Sequence, residues 1–315
     1  MPSGRPAESP QRTEKTRGRA AGRQSYRYGR RGTDMSESYH IWICGDGALL
    51  LDYGQERSVA AGVKAVMVKK LLAEQHIFGI SDMIPCNSSL LIQYDPGKIF
   101  LSTLLQKVKK TAQRVERDRH IKLQSRIIEI PVYFADPWTK EAIDEYCRTV
   151  KQKPYDVDFI IEQNGLKDLD ELIHYITTPR YIVTYLSFGP GLPSCTCLDP
   201  KYALHVPKYN PPRTKTPPLA IGMGGSNISL YPLGSPGGYQ MFGILAAPLL
   251  EISQRLFDFK QTPVLARVGD MFQFRAIDRA EYDEIKRACE EGTWQYKITK
   301  TQFDLAEYLR TNAGS

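Results

Sequence analysis

The chain has 315 residues and a formal net charge of +7. This length suits two domains that each bury a core; no apolar run approaches the roughly eighteen residues of a membrane span, and the start lacks the apolar segment of a secretory signal. The surplus charge is local: residues 1–31 carry nine Lys or Arg against two acids, and the rest balances at 33 of each; no basic and aromatic interleaving continues into the body, which argues against nucleic-acid binding there.

The arm (1–36), rich in Arg, Ser and Gly, buries too little to fold. It is expected to be a disordered tail or an over-extended start ahead of Met35, with mitochondrial targeting as the lesser alternative. From 37 to 125 the pattern is α+β. "YHIWICGDGALLLDYG" gives two short strands around Gly45-Asp46-Gly47. "SVAAGVKAVMVKKLLAEQ" is helical, with Ser58 as its N-cap. "IFGISDMIP" and "SSLLIQYD" are strands, "STLLQKVKKTAQRVERD" is an amphipathic helix, and "RIIEIPVYF" is a further strand. The order strand, helix, strand, strand, helix, strand is that of a split βαβ, ferredoxin-like unit. A second domain spans 126–290. It starts with a helical stretch from Pro137 to about Tyr175, broken at Lys153-Pro154 and Asn164-Gly165. Short β-branched and aromatic runs between Pro and Gly follow, the texture of a closed, largely antiparallel β domain. "DRAEYDEIKRACEEG" and "TQFDLAEYLR" are expected to be helices, the second within a C-terminal tail (291–315).

Catalytic-triad, Walker and dinucleotide signatures are lacking. The six cysteines are scattered and expected to be reduced thiols, with no metal site. What remains is basic and glycine-rich. Lys208, Arg213 and Lys215 lie in a segment stiffened by Pro207, Pro211, Pro212, Pro217 and Pro218. Arg213 has the fork to grip a carboxylate or phosphate. Gly224-Gly225 and Gly237-Gly238 permit positive φ and so an anion nest, or else they serve barrel corners. Asn227 and Ser235 add hydrogen-bonding groups, and Tyr231 and Tyr239 add aromatic walls.

"PRYIVTYLSFGPGLP", "AIGMGG", "LYPLGSPGGY" and "PVLARVGDMFQF" resemble a family known as allophanate hydrolase subunit 1, or the B-type subunit of 5-oxoprolinase, across about 40–285. That family includes a sporulation kinase inhibitor and forms half of the carboxyltransferase region (subdomains C and D) of urea carboxylase. The resemblance implies a cyclophilin-like β-barrel after the ferredoxin-like domain. Pro190, Gly191, Arg213, Gly222, Gly224, Gly225, Tyr231, Ser235, Gly237 and Gly238 keep the family pattern. Lys208 stands for Arg, Asn227 for Gln, Ile228 for Thr, Tyr239 for Trp and Ile176 for His; the resemblance sets Ile176 and Ile228 in the pocket.

The resemblance implies a subunit of an ATP-dependent 5-oxoprolinase-type complex that opens 5-oxoproline to glutamate. Its expected partners are a homologous carboxyltransferase-like subunit and an amidohydrolase-like one, in the cytoplasm, with ATP used by the complex and no nucleic acid or membrane involved. Arg213 and Asn227 are the expected catalytic residues. Lys208, Gly224, Gly225, Tyr231, Ser235, Gly237 and Gly238 are the expected substrate or anion contacts. The alternatives are the carboxyltransferase half of a biotin-dependent urea or amide carboxylase, with biotin carried on another chain, and a non-catalytic inhibitor that binds a histidine kinase.

Overall fold

The computed structural model describes residues 38–54 and 58–312; the basic arm lies outside them. The described residues form one compact unit. It opens with strands β1 (His40–Ile43) and β2 (Ala48–Asp52), followed by helix α1 (Val59–Ala73). Strands β3 (Ile80–Cys86) and β4 (Ser89–Tyr94) and helix α2 (Leu101–Arg117) complete the small layer. Ser58 caps α1 by accepting from the Ala61 amide at 3.0 Å. Leu104, Val108, Ala112 and Val115 recur at helical spacing on α2 and are buried, whereas Leu105 is half-buried.

The four strands form an antiparallel sheet in the order β1-β2-β4-β3. The split βαβ pattern holds, but its outermost place is taken by β1 and not by the strand after α2. That strand, β5 (Lys122–Phe134), joins the second sheet. It crosses the 125/126 boundary expected between domains, because thirteen residues are long enough to serve both.

Helices α3 (Pro137–Thr149), α4 (Asp156–Gln163) and α5 (Leu169–Thr177) follow, divided where Pro154 and Gly165 interrupt the helical pattern. The barrel strands are β6 (Tyr181–Leu186), β7 (Pro193–Cys197), β9 (Ala220–Gly224), β10 (Asn227–Leu230), β12 (Gln240–Leu245) and β13 (Met271–Ala276). With β5 they run β12-β9-β10-β7-β6-β13-β5, and a β12–β5 pairing closes the ring. All neighbours are antiparallel except β13 and β5. At the closing seam Gly243 faces Phe134, and a Cβ there would stand 2.8 Å from the Tyr133 carbonyl oxygen. Strands β8 (Arg213–Thr216) and β11 (Ser235–Gly237) make a separate ribbon.

Helix α6 (Arg279–Glu291) ends at Gly292, which takes the left-handed cap at φ 79°. The expected helix over "TQFDLAEYLR" is corrected. Residues Ile298–Asp304 form strand β14 on β5, and only Leu305–Thr311 (α7) is helical. The β-branched Ile298, Thr299 and Thr301 favour the extended form once β5 offers an unpaired edge. Three clusters make up the interior. The main one fills the barrel, the second lies under α1 and α2, and a small one joins α3 to Tyr231 and Met241.

Candidate functional site

Segment 206–212 is held along the start of β12. The Tyr209 amide donates to the Gly238 carbonyl at 2.7 Å, and the Gln240 side chain donates to the Pro207 carbonyl at 2.7 Å. From α3, the Tyr146 hydroxyl donates to the Pro211 carbonyl at 2.7 Å. The chain then enters β8, which buries its two end residues, Arg213 and Thr216, and exposes Thr214 and Lys215 between them.

Arg213 is only 1% exposed. Its Nη1 donates to the Tyr239 carbonyl at 2.6 Å, its Nη2 to the Thr216 hydroxyl at 3.2 Å, and its Nε has no acceptor. The guanidinium carbon lies 4.4 Å from the centroid of the Tyr209 ring. None of these contacts is a carboxylate. Arg126 shows the ordinary arrangement: although less buried, it donates to both oxygens of Asp270, at 2.9 and 2.5 Å. A buried cation without an anion carries an uncompensated desolvation penalty.

Gly237 pairs directly with Arg213. A Cβ on Gly237 would stand 2.6 Å from Thr216 Oγ1, 3.0 Å from the Tyr231 hydroxyl and 3.2 Å from Arg213 Nη2. Three polar groups therefore converge where a side chain is missing. Burial raises the phenol pKa of Tyr209, Tyr231 and Tyr239, so all three remain neutral near pH 7.

Gly224 sits beneath the Tyr239 ring, where a Cβ would be 2.4 Å from a ring carbon. Its cross-strand partner is Asn227, 1% exposed, which accepts from the Thr196 hydroxyl at 3.3 Å and leaves its amide nitrogen unpaired. Asn227 and Arg213 share no hydrogen bond; Tyr239 covers Gly224, the cross-strand partner of Asn227, and gives its carbonyl to Arg213. On the solvent side, Lys208 Nζ lies 5.0 Å from the centroid of the same ring.

The anion-nest reading of the glycines is corrected. Of the four, only Gly225 has positive φ, at 64°, and its amide is spent on the Val206 carbonyl at 2.8 Å. Gly224 and Gly237 lie within strand pairs and give close approach instead, while the Gly238 carbonyl receives Tyr209. The Ser235 hydroxyl bonds the neighbouring Pro236 carbonyl at 3.1 Å and takes no part in the Arg213 cluster. Ile176 and Ile228, expected in the pocket, belong instead to the main core, because their positions on α5 and β10 turn inward. An open groove of about 570 Å³ between α1 and α2 shares no residue with the Arg213 cluster.

Asp156, Lys153, Tyr209 and Thr216 are cluster members that sequence reasoning missed. Asp156 is fully buried at the start of α4, and it accepts from Lys153, from the Tyr209 hydroxyl at 2.5 Å and from the Met241 amide at 2.6 Å. Burial pushes its pKa up, and those three donors pull against that shift. Among the described residues no helix is long and apolar enough to cross a membrane.

The family described as carboxyltransferase domain, subdomain C and D, matches residues 39–263. Urea amidolyase of Saccharomyces cerevisiae is 30% identical over 274 residues, covering 84% of this chain and 15% of that protein. The B-type subunit of 5-oxoprolinase from Bacillus subtilis is 24% identical over 260 residues, covering 80% of this chain and 98% of that protein. The urea carboxylase structure from Kluyveromyces lactis superposes with a TM-score of 0.78 at 25% identity, over 90% of this chain and 25% of that one. The chain therefore spans a small part of the urea amidolyases and matches nearly the full length of the Bacillus protein. With the matched segment running from the first strand to just short of β13, the last barrel strand in the chain, this chain belongs to the family of carboxyltransferase subdomains C and D.

Proposed function

We propose that the chain is the B-type subunit of a cytoplasmic 5-oxoprolinase-type complex, in which Arg213 holds an anionic or polarised carbonyl oxygen during ring opening to glutamate. The observation that carries this reading is the buried guanidinium with no carboxylate partner and an unpaired Nε. Opening a lactam develops negative charge on its carbonyl oxygen, and a preorganised donor in a dry site stabilises that charge. Neutral Tyr231 and Thr216 next to Gly237 add donors without cancelling the positive charge. Lys208, above the Tyr239 ring, draws anions toward the same face. No general base is in contact with Arg213, which suits a site completed by a homologous carboxyltransferase-like subunit, with an amidohydrolase-like subunit alongside.

ATP enters this reading at the level of the complex, and at Gly225, the one of the four glycines with positive φ, the amide is spent on the Val206 carbonyl. In this reading the nucleotide is held by another subunit. A second reading, carboxyl transfer to urea or a related amide with biotin on another chain, is favoured by the 30% identity to a urea amidolyase. The kinase-inhibitor alternative gains no supporting contact.

Co-expression with the homologous subunits, purification of the complex and two assays decide between the readings. Glutamate formed from 5-oxoproline with ATP supports the first; carboxylation of urea with a biotinylated partner supports the second. In either complex Arg213→Ala is expected to lower turnover by about 1.5–3 kcal/mol, the worth of a hydrogen bond to a charged group. Unchanged kinetics would remove Arg213 from the site.

A further inference from the structure

The surroundings of Arg213 come from distant parts of the chain and share one anion. The Asp156 oxygens accept from the Lys153 ammonium, the Tyr209 hydroxyl and the Met241 amide. Two of these partners, the Lys153 ammonium and the Met241 amide, can only donate, one to each oxygen, an arrangement that matches a carboxylate. Lys153 neutralises that carboxylate, so Arg213 is left as a surplus of one positive charge.

The Tyr209 ring connects the two halves. Its hydroxyl donates to Asp156 at 2.5 Å, while Arg213 Cζ and Lys153 Nζ lie 4.4 and 4.6 Å from its centroid. A phenol donating to a carboxylate pushes electron density into its ring, which strengthens the attraction for the guanidinium. The guanidinium is also anchored unevenly. Nη1 is fixed at 2.6 Å to a carbonyl; on the side-on edge, Nη2 has only a 3.2 Å bond to a neutral hydroxyl and Nε has none. That edge carries the two parallel N–H groups that a carboxylate takes bidentately.

Resting on the reading of Arg213 as an anion site, we propose that Asp156 is its positioning residue, acting through Tyr209 to hold the guanidinium so that its under-bonded side-on edge takes one monoanion of the carboxylate class. One surplus charge in a buried setting matches one carboxylate. A phosphate dianion would leave a buried negative charge.

The test uses the full chain labelled with ¹⁵N at arginine. The Arg213 Nε–H correlation is identified by its loss in Arg213→Lys, with sodium acetate and inorganic phosphate at pH 8 as probes. Acetate is expected to shift that signal saturably, and phosphate to bind at least about tenfold more weakly. Tyr209→Phe keeps the ring and its packing while removing the hydroxyl. Tyr209→Phe is expected to displace the ligand-free Arg213 signal and to weaken acetate about tenfold; Asp156→Asn, which also frees the Lys153 charge, is read only through its displacement of the ligand-free signal. The double variant is expected to displace that signal no further than the larger single displacement, because both act along one path. Additive displacements, or an undisplaced Arg213 signal in Tyr209→Phe, overturn the positioning role. Failure of acetate to move the wild-type signal overturns the anion site itself; the ligand-free spectra then still decide whether Asp156 sets the guanidinium. Tighter binding of phosphate than acetate overturns the ligand class.

Discussion

Two glycines beside the candidate site are needed for space, and a third is needed for its dihedral angles. A Cβ at 224 would enter the Tyr239 ring at 2.4 Å, and one at 237 would meet Thr216 Oγ1 at 2.6 Å. At 225 nothing lies within 4 Å, but φ is 64°. Gly225→Ala should therefore cost about 1 kcal/mol, the left-handed penalty for a residue with a Cβ. Gly224→Ala and Gly237→Ala should each cost about 2–3 kcal/mol, because a packed ring or a buried polar group must shift. Urea denaturation of the three variants tests the ranking, and equal losses would sink it. From sequence these glycines looked alike, since composition shows where the backbone is permissive but not which freedom is used. Arg213 was legible because the one arginine in a proline-stiffened segment, with its bidentate fork, stands out beside two lysines. Asp156 was not: Pro-Tyr-Asp opens an ordinary helix, and its partners Tyr209 and Met241 are 53 and 85 residues away.

Elements were legible where local pattern decides and illegible where pairing does. Helix α4 ends at its Asn164-Gly165 break and α3 a few residues before Lys153-Pro154, but "ITKTQFD" became a strand because β5, far earlier in the chain, provides its ladder. Capping links one such element to pH. Asp136 precedes Pro137 at the start of α3, is fully buried, and accepts from the Trp138 and Thr139 amides at 3.0 and 2.8 Å. Asp136→Ala should cost about 1–2 kcal/mol through loss of these bonds. Burial raises the Asp136 pKa against the opposing pull of Thr139 and the amides. The folded state therefore takes up a proton before the unfolded one does. This contribution to stability is fully present below the unfolded value near pH 3.9 and is lost as pH rises through the higher folded value. Asp136→Asn keeps the cap acceptor and removes the charge. The stability of wild type relative to Asp136→Asn should rise as pH falls from 7 toward 4 in urea titrations. A difference that is flat, or that grows with pH, would contradict the burial argument.

At the scale of the molecule, the sequence suggests two domains with a boundary near 125, yet the side chains at that boundary serve both. The cluster under α1 and α2 contains Leu123 from β5, Ile182 from β6, Met271 from β13 and Phe303 from β14. The barrel strands thus supply part of the small layer's interior, and no linker separates the two. Leu123 is the clearest test. It is 6% exposed, and a Cβ on Gly269 would stand 2.7 Å from its Cδ2. A small cavity of about 10 Å³ already lies beside it, lined by Val59, Gly62, Val63 and Ile182 among others. Leu123→Ala would enlarge that void and should cost about 3 kcal/mol. Because the loss falls on a contact shared by both layers, it should lower their stability together. Trp42 on β2's neighbour β1 and Trp138 on α3 can report separately in variants that retain one tryptophan each. Wild type and Leu123→Ala should each show coincident urea midpoints at the two probes, with both midpoints shifted equally by the substitution. If Trp42 alone moved, the small layer would be an independent folding unit and the shared interior would not couple it to the barrel.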